Sequence, residues 1–478
     1  METRDRMYCG PDRGGMMRNS LAHTDLNCLL HPQTDPAALV AQGPLILESG
    51  DGVFVTDSSG RSYLEGMSSL WCASLGFNEP RLARAAADQI SRLGTYHTFN
   101  RRSNPAVIEL AERLLALSPM PDGKALFANS GSEAVDTMIK LAWLYHSGRG
   151  APERRKIISR RRAYHGSTVL GATLSGLPSM RGAFAWPDPG VIFAEAPHFY
   201  TCAEAGESEE AFVDRLVAEV AALIAAEGAG SIAAMIAEPV MGAGGVIIPP
   251  SGYFPKLAEL LREKGILLLS DEVICGFGRT GEWFGCQTFG FRPDMMSVAK
   301  ALSSGYQPIG ATLLTAEIHD VVSAEASRLG VLGHGFTYAG HPVTSAVALE
   351  TLKIYEEMDL LAQVRARAPA FLDHINALAG HPLVGEARAV GLIGAVELVA
   401  DRATRRPFAS EAGIGARLVT LALDQGLIVR NLGDAIAICP PLIVTTAELE
   451  LLFNRLRQAL DALALETAAS QVEDRHDQ

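Results

Sequence analysis

The sequence predicts an α/β fold built on a mainly parallel sheet and followed by an α+β tail. Three observations carry this. From about residue 80, short apolar runs alternate with stretches of helical period, the pattern of parallel strands buried between covering helices. After Pro342 a long helical segment gives way to further strand candidates and a closing helix. Finally, 478 residues exceed one small core and suit two or three domains of ~100–200 residues.

The elements follow in order. Residues 1–20 are polar, contain Gly and Arg, and lack an apolar stretch, so they read as disordered and not as a secretory signal. Residues 44–65 read as a small antiparallel sheet: Leu45-Ile46-Leu47, Val53-Phe54-Val55 and Tyr63-Leu64, with turns at Ser49-Gly50-Asp51-Gly52 and Ser58-Ser59-Gly60. The sheet strands are expected at Ala125–Ala128, Ile157-Ile158, Val191–Phe193, Ile232–Ile236, Ile266–Leu269, Met296–Val298 and Ile309–Leu314. Ser208–Ala226, with Glu and Asp at short intervals, reads as a surface amphipathic helix. The tail should hold a helix from Pro342 past Met358, strands within Val390–Val399 and at Leu427–Val429, and a helix over Thr446–Leu463.

Composition excludes several classes. The net charge of −13 argues against nucleic acid and anionic membranes, which need basic clusters. The basic run Arg154-Arg155-Lys156 with Arg160-Arg161-Arg162 reads as a solvated surface. Seven cysteines without a Cys-x-x-Cys pair indicate reduced thiols in a cytoplasmic protein, with neither a disulfide framework nor a metal site. No apolar run reaches the ~20 residues of a membrane helix.

Chemistry concentrates where apolar runs end. Ile266–Leu269 runs into Ser270-Asp271-Glu272-Val273, at the edge where ligands of open α/β sheets bind. Lys300 lies 29 residues beyond Asp271, at the end of another apolar run, Met295–Ala299. Two adjacent strand ends would bring this acid and this lysine together. Such a pair suits pyridoxal phosphate. A carboxylate keeps the pyridine nitrogen protonated, and an amine condenses with the aldehyde as a Schiff base and later moves a proton. Of the seven lysines, Lys300 alone follows a strand-like run and precedes a Gly-rich loop. Gly276–Gly281 matches G-x-G-x-x-G literally, but Asp271 and Glu272 separate it from the strand and no regular helix follows, so a dinucleotide site is rejected.

Asn129-Ser130-Gly131-Ser132-Glu133 carries a capping box, Ser130 with Glu133. After Leu126–Ala128, it leaves amides and two hydroxyls at a helix N-terminus, where a phosphate could bind. Thr337 is a candidate for a further hydroxyl to that phosphate. Tyr164, in Tyr164-His165-Gly166, is either plain packing or a ring stacked on a flat cofactor. Glu238 again ends an apolar run. Arg430, after Leu427–Val429, is either a surface ion pair or a clamp for a substrate carboxylate.

From about residue 35 to 465 the chain resembles the class III, fold type I, pyridoxal-phosphate aminotransferases, most specifically in Ser270–Gly281 with Lys300 beyond it. The resemblance implies a large three-layer cofactor-binding domain over 76–345. A smaller α+β domain would come from both chain ends, with 21–75 joining 346–478. It also implies that Asp271 pairs with the pyridine nitrogen, Val273 packs on the ring and Tyr164 stacks on its other face. His165 and Glu238 belong to the same cofactor site. Ser130, Gly131 and Ser132 hold the phosphate, with Thr337 reaching in from the partner of a homodimer, or of a tetramer. Ser69–Gly76, Tyr96–Asn100 and Val429-Arg430 resemble the ω-transaminases, which act on amine:pyruvate or β-alanine:pyruvate pairs. There, Trp71 and Phe99 would wall the substrate pocket, and Arg430 would swing in for a carboxylate and away for an apolar amine.

Small amines and keto acids are therefore the expected partners. A rival enzyme reading is an ornithine- or 4-aminobutyrate-type aminotransferase using 2-oxoglutarate, or an aminomutase. That acceptor wants a second cationic anchor. A non-catalytic cofactor-sensing regulator would need a basic DNA-binding domain, which this acidic chain lacks.

Overall fold

The computed structural model describes residues 20–476 except 183, 185, 186, 188 and 189, with side chains through residue 468. The disorder expected for residues 1–20 therefore lies outside the described residues, apart from Ser20, whose Oγ accepts from His23 N to cap a short helix.

The strands, in chain order, are β1 (Leu47–Asp51), β2 (Phe54–Asp57), β3 (Ser62–Glu65), β4 (Lys124–Ala128), β5 (Lys156–Arg160), β6 (Val191–Ala194), β7 (Ile232–Ala237) and β8 (Leu267–Asp271). They continue with β9 (Met295–Val298), β10 (Gly310–Leu314), β11 (Val384–Val390), β12 (Ile393–Leu398), β13 (Leu427–Ile428), β14 (Arg430–Leu432) and β15 (Ala435–Ile438).

The central sheet runs β4-β10-β9-β8-β7-β5-β6. Its pairings are parallel except at β10, which is antiparallel to both neighbours. All six residues of β7 are buried, because successive side chains point to opposite faces and both faces are covered. Ala234 and Ile236 pack with Val135, Met138 and Ile139 of the helix Gly131–Gly148. Met235 and Ala237 join the core formed with Phe212 and Phe254, from the helices Glu209–Glu227 and Tyr253–Glu263. The acidic helix is amphipathic as expected, burying Phe212, Val213, Leu216, Val220 and Ile224 on one side.

Two four-stranded sheets complete the fold: β1-β2-β3-β13 and β11-β12-β15-β14. In the first, β3 pairs in parallel with β13, Leu64 opposite Leu427 and Glu65 opposite Ile428. The two ends of the chain thus share one sheet. The expected strand over Val390–Val399 is β12, entered through a turn at Gly391-Leu392. The flanking β11 and β15 were not anticipated. The closing helix runs to His476, well past Leu463.

The basic run is a correction. Arg161 and Arg155 are exposed, but Arg160 is fully buried and Arg162 half-buried. Arg160 Nη2 donates to Glu238 O at 2.6 Å, and its guanidinium lies 5.8 Å from the Phe254 ring centre. The Gly276–Gly281 loop is a tie and not a nucleotide cradle. Its left-handed Phe277, Gly278 and Gly281 bring in buried Arg279, which donates to Leu392 O (2.9 Å), Pro440 O (2.7 Å) and Ser68 Oγ (3.2 Å). Among the described residues, no helix is long and apolar enough to cross a membrane.

Candidate active site

β8 and β9 are neighbours, with Asp271 opposite Ser297, so the chain beyond β9 returns Lys300 to the strand end that holds Asp271. The Asp271 carboxylate is buried and fixed. Its Oδ2 meets His165 Nδ1 at 2.8 Å, and Oδ1 accepts from Ser297 Oγ (3.1 Å) and Val273 N (3.2 Å). His165 Nε2 is buried without a protein partner. Lys300 sits at φ 48°. Burial lowers its amine below the usual lysine range, against the pull of Asp271.

Glu238, at the end of β7, turns its carboxylate to the backbone: Oε1 accepts from Tyr164 N (3.1 Å) and Oε2 from Gly242 N (3.2 Å). Burial pushes it up to about 7, opposed by His165 and Arg160. It holds the Tyr164 loop in place.

The phosphate candidate is the N-terminus of the helix Gly131–Gly148. Ser130 Oγ accepts from Glu133 N at 3.2 Å, as expected of the cap, but Glu133 Oε2 accepts from Asn129 N at 2.7 Å and not from Ser130 N, so only half of the expected capping box forms. Gly131 lies so close to Val273 that an added Cβ would fall 2.9 Å from Cγ1. Ser132 Oγ accepts from Ser167 N at 3.0 Å. The two hydroxyls are thus engaged as acceptors, contrary to the expectation that both are free, and what each retains is its own proton to donate.

A cavity of about 1260 Å³ is lined by Gly131, Ser132, His165, Glu238, Asp271 and Lys300 together with Trp71, Tyr164, Val273 and Arg430. The Trp71 ring lies 5.7 Å from Lys300 Nζ and 5.1 Å from the Arg430 guanidinium carbon. Burial lowers Arg430 from the usual guanidinium range, and it pairs with no carboxylate among the described residues. Tyr164 Oη lies 3.0 Å from Ser167 Oγ.

Three expected residues do not line the cavity: Ser130, Phe99 and Thr337. Phe99 is 43% exposed and packs on Gly335, where a Cβ would fall 2.8 Å from its Cε1. Thr337 is exposed nearby in the same segment. Within one chain both belong to a surface patch, not to the cavity. Conversely, the cavity includes Arg162, Pro32–Thr34 and Leu177–Met180, which sequence reasoning missed. Arg162 offered a signal, two residues before Tyr164. Its Nη1 donates to His198 Nδ1 at 3.1 Å, and His198 Nε2 lies 2.9 Å from Glu386.

The residues fit pyridoxal phosphate. The same cavity is lined by a buried carboxylate, Asp271, and by a helix N-terminus, Gly131-Ser132, whose glycine alone allows its close approach to Val273.

The comparisons agree. The family model for class III aminotransferases matches residues 37–460. A tomato (Solanum lycopersicum) protein named gamma aminobutyrate transaminase 3, chloroplastic, is 44% identical over 450 residues, 93% of this chain and 86% of its own. A rice (Oryza sativa subsp. indica) protein named probable gamma-aminobutyrate transaminase 2, mitochondrial, is 45% identical over 88% of this chain and 84% of its own. The ω-transaminase from Pseudomonas jessenii in complex with PMP superposes with a TM-score of 0.92 at 46% identity, over 93% of this chain and 98% of that one. A variant of that enzyme, substituted at one tryptophan, one phenylalanine and one arginine, is described as engineered for asymmetric synthesis of enantiopure bulky amines. The PMP-bound aminotransferase from Vibrio fluvialis gives 0.92 at 39% identity, over 94% and 99%. The chain belongs to the class III aminotransferases, pyridoxal-phosphate enzymes of fold type I.

Proposed function

We propose that this aminotransferase takes its amino group from an amine or an ω-amino acid and gives it to a keto acid, pyruvate, in two alternating half-reactions. The observation that carries the reading is Arg430: a half-buried guanidinium on the cavity wall, stacked against Trp71 and without a carboxylate partner. A desolvated cation of this kind wants a carboxylate, and its long stem lets it withdraw from an apolar amine. Tryptophan, phenylalanine and arginine are also the residue types altered in the P. jessenii variant made for bulky amines. The plant relatives named for gamma-aminobutyrate favour an ω-amino acid among the donors. Against 2-oxoglutarate stands the other arginine of the described cavity wall. Arg162 already donates to His198, so it is a poor second anchor.

In this reading Lys300 carries the cofactor and Asp271 holds its ring nitrogen protonated. Val273 and Tyr164 would pack against the ring. His165 and Glu238 fix Asp271 and the Tyr164 loop, and Ser130, Gly131 and Ser132 hold the phosphate. When bound, the cofactor supplies an electron sink. Lys300 Nζ, whose basicity burial lowers, would take the proton from the substrate carbon and return it. Trp71 walls the substrate. Thr337 and Phe99 serve the site of a second copy in a homodimer, since neither reaches the cavity of its own chain. We place the enzyme in the cytoplasm.

The test is a half-reaction panel. Loss of the bound cofactor's absorbance is followed on adding L-alanine, β-alanine, 4-aminobutyrate or simple alkyl amines. Reaction with simple amines and alanine supports the reading. Reaction only with 4-aminobutyrate or ornithine, and regeneration only by 2-oxoglutarate, would replace it.

A further inference from the structure

Glu65 ends β3, is 4% exposed, and does not line the cavity. Its carboxylate folds back onto the chain that follows: Oε1 accepts from Met67 N at 2.7 Å and Oε2 from Ser69 N at 2.8 Å. Among the described residues no cation answers it. Burial pushes it up to about 7, with only these two amides opposing.

The segment it grips is strained. Ser68, Ser69 and Trp71 have φ of 50°, 59° and 60°. Ser69 is the extreme case at ψ −104°, a conformation left to glycine because a Cβ collides with the backbone. Residues in such conformations persist only where their surroundings impose them. The surroundings here are named. Ser68 Oγ donates to Cys439 O (2.7 Å) and accepts from Arg279 Nη2 (3.2 Å), while Glu65 holds the amides of Met67 and Ser69. The backbone of Glu65 faces Ile428 across the β3–β13 pair, and Gly66 N donates to Ile428 O at 2.9 Å. Two residues past Ile428 stands Arg430. One buried side chain therefore sits where the turn bearing Trp71 and the strand bearing Arg430 diverge.

We propose that Glu65 is a positioning residue for substrate selection: by pinning the strained turn Gly66–Trp71 it fixes the indole against which Arg430 stacks. This rests on the reading that Trp71 and Arg430 bound the substrate. Without the two acceptors, Ser69 relaxes from its glycine-like conformation and carries the Trp71 backbone with it. Arg430 then loses the surface that aims it at a carboxylate.

The experiment uses holoenzyme bearing Glu65→Gln, which leaves one carbonyl oxygen in place of the two that accept separately from Met67 N and Ser69 N. Single-turnover rates are measured over a concentration series of L-alanine and of a simple alkyl amine. Cofactor loading should match wild type. Selectivity for alanine over the amine should fall about tenfold or more, ~1.4 kcal/mol, mainly through weaker saturation by alanine. Adding Ser69→Gly should restore most of it, because glycine takes that φ and ψ without strain. Unchanged selectivity, or no restoration by glycine, overturns the proposal. If Glu65→Gln does not fold, Glu65→Asp carries the same expectation, and failure of both to load cofactor makes Glu65 a residue of the fold alone and overturns it too. Arg430→Ala separates the two readings. If it leaves alanine unaffected, the wall reading falls and the proposal with it. If it weakens alanine while Glu65→Gln does not, only the role of Glu65 falls.

Discussion

Replacing Arg430 by alanine separates substrates that use the guanidinium from those that avoid it. In wild type the guanidinium carbon is 5.1 Å from the Trp71 ring. Burial disfavours its charge, and no carboxylate of the described residues answers it. On the proposed reading, a keto acid or α-amino acid would supply that carboxylate. Removing a charge-assisted, two-pronged contact in a partly buried site costs roughly 2–4 kcal/mol, or about 30- to 1000-fold in rate constant over saturation. An alkyl amine never makes the contact. It meets only the loss of the cation–ring contact, ~0.5–1 kcal/mol, together with relief of a desolvated charge, which offsets part of it. The amine half-reaction should therefore change by less than about fivefold. The assay is single-turnover decay of the cofactor absorbance with L-alanine and with the amine, in wild type and Arg430→Ala. Equal losses for both would show that Arg430 supports structure only and would refute the clamp.

Lys300→Ala should abolish turnover and leave no covalent cofactor after borohydride reduction, read by peptide mass; a modified Lys353 or Lys256 would overturn the assignment. Asp271→Asn keeps the shape facing His165, 2.8 Å away, but removes the charge. Cofactor should still bind, while kcat falls by several decades, at ~1.4 kcal/mol each. Near wild-type kcat would remove Asp271 from that role. If Thr337 and Phe99 complete a neighbour's site, dilution to monomer should lose activity and cofactor together, and an active monomer in sedimentation would contradict the shared site. Glu238 is pushed up to about 7 by burial, above its ordinary 4.5. A carboxyl raised in the folded state contributes stability below its unfolded value and loses it as pH rises through the folded one. Glu65 and Glu272 move in the same direction. The thermal midpoint of cofactor-free enzyme should fall from pH 5 to pH 8, and fall less in Glu238→Gln; parallel curves would show that Glu238 does not titrate there.

The strands of the central sheet were legible because burial on both faces makes each a short apolar run. β7, β8 and β9 stand out for that reason, and with them Asp271 and Lys300 at their ends. β11 was hidden because a glycine and two charged residues, Glu386 and Arg388, break up its apolar residues. Arg388 is buried there because Glu397, at 2.7 Å, and the Gly245 and Val246 carbonyls answer it from other segments, along with Glu386 of its own strand. Such pairing is between segments, so no local pattern announces it. The same holds for Arg160 and Arg162, which look like a solvated run until Glu238 O and His198 are found beside them. The turn at Ser68–Trp71 carries no glycine, proline or asparagine to mark its positive φ values. Its conformation is imposed by Glu65, Arg279 and Cys439, which come from three places in the chain. Phe99 and Thr337 could be named from sequence, but their distance from the cavity of their own chain is visible only in three dimensions.

The β3–β13 pair also sets a timetable for synthesis. β3 leaves the ribosome with one edge unpaired, and its partner β13 follows about 360 residues later. At ~5–20 residues per second that is roughly 20–70 s. For that interval the N-terminal sheet presents an open row of backbone donors and acceptors, the feature through which unfinished chains associate. Arg430 and the tie from Arg279 to Pro440 O arrive in the same late stretch. A nascent chain can complete its central sheet, with Asp271 and Lys300 in register, well before the Trp71 wall has anything to close against. Shielding of that edge during synthesis therefore matters to the yield of active enzyme more than the speed at which the central sheet forms.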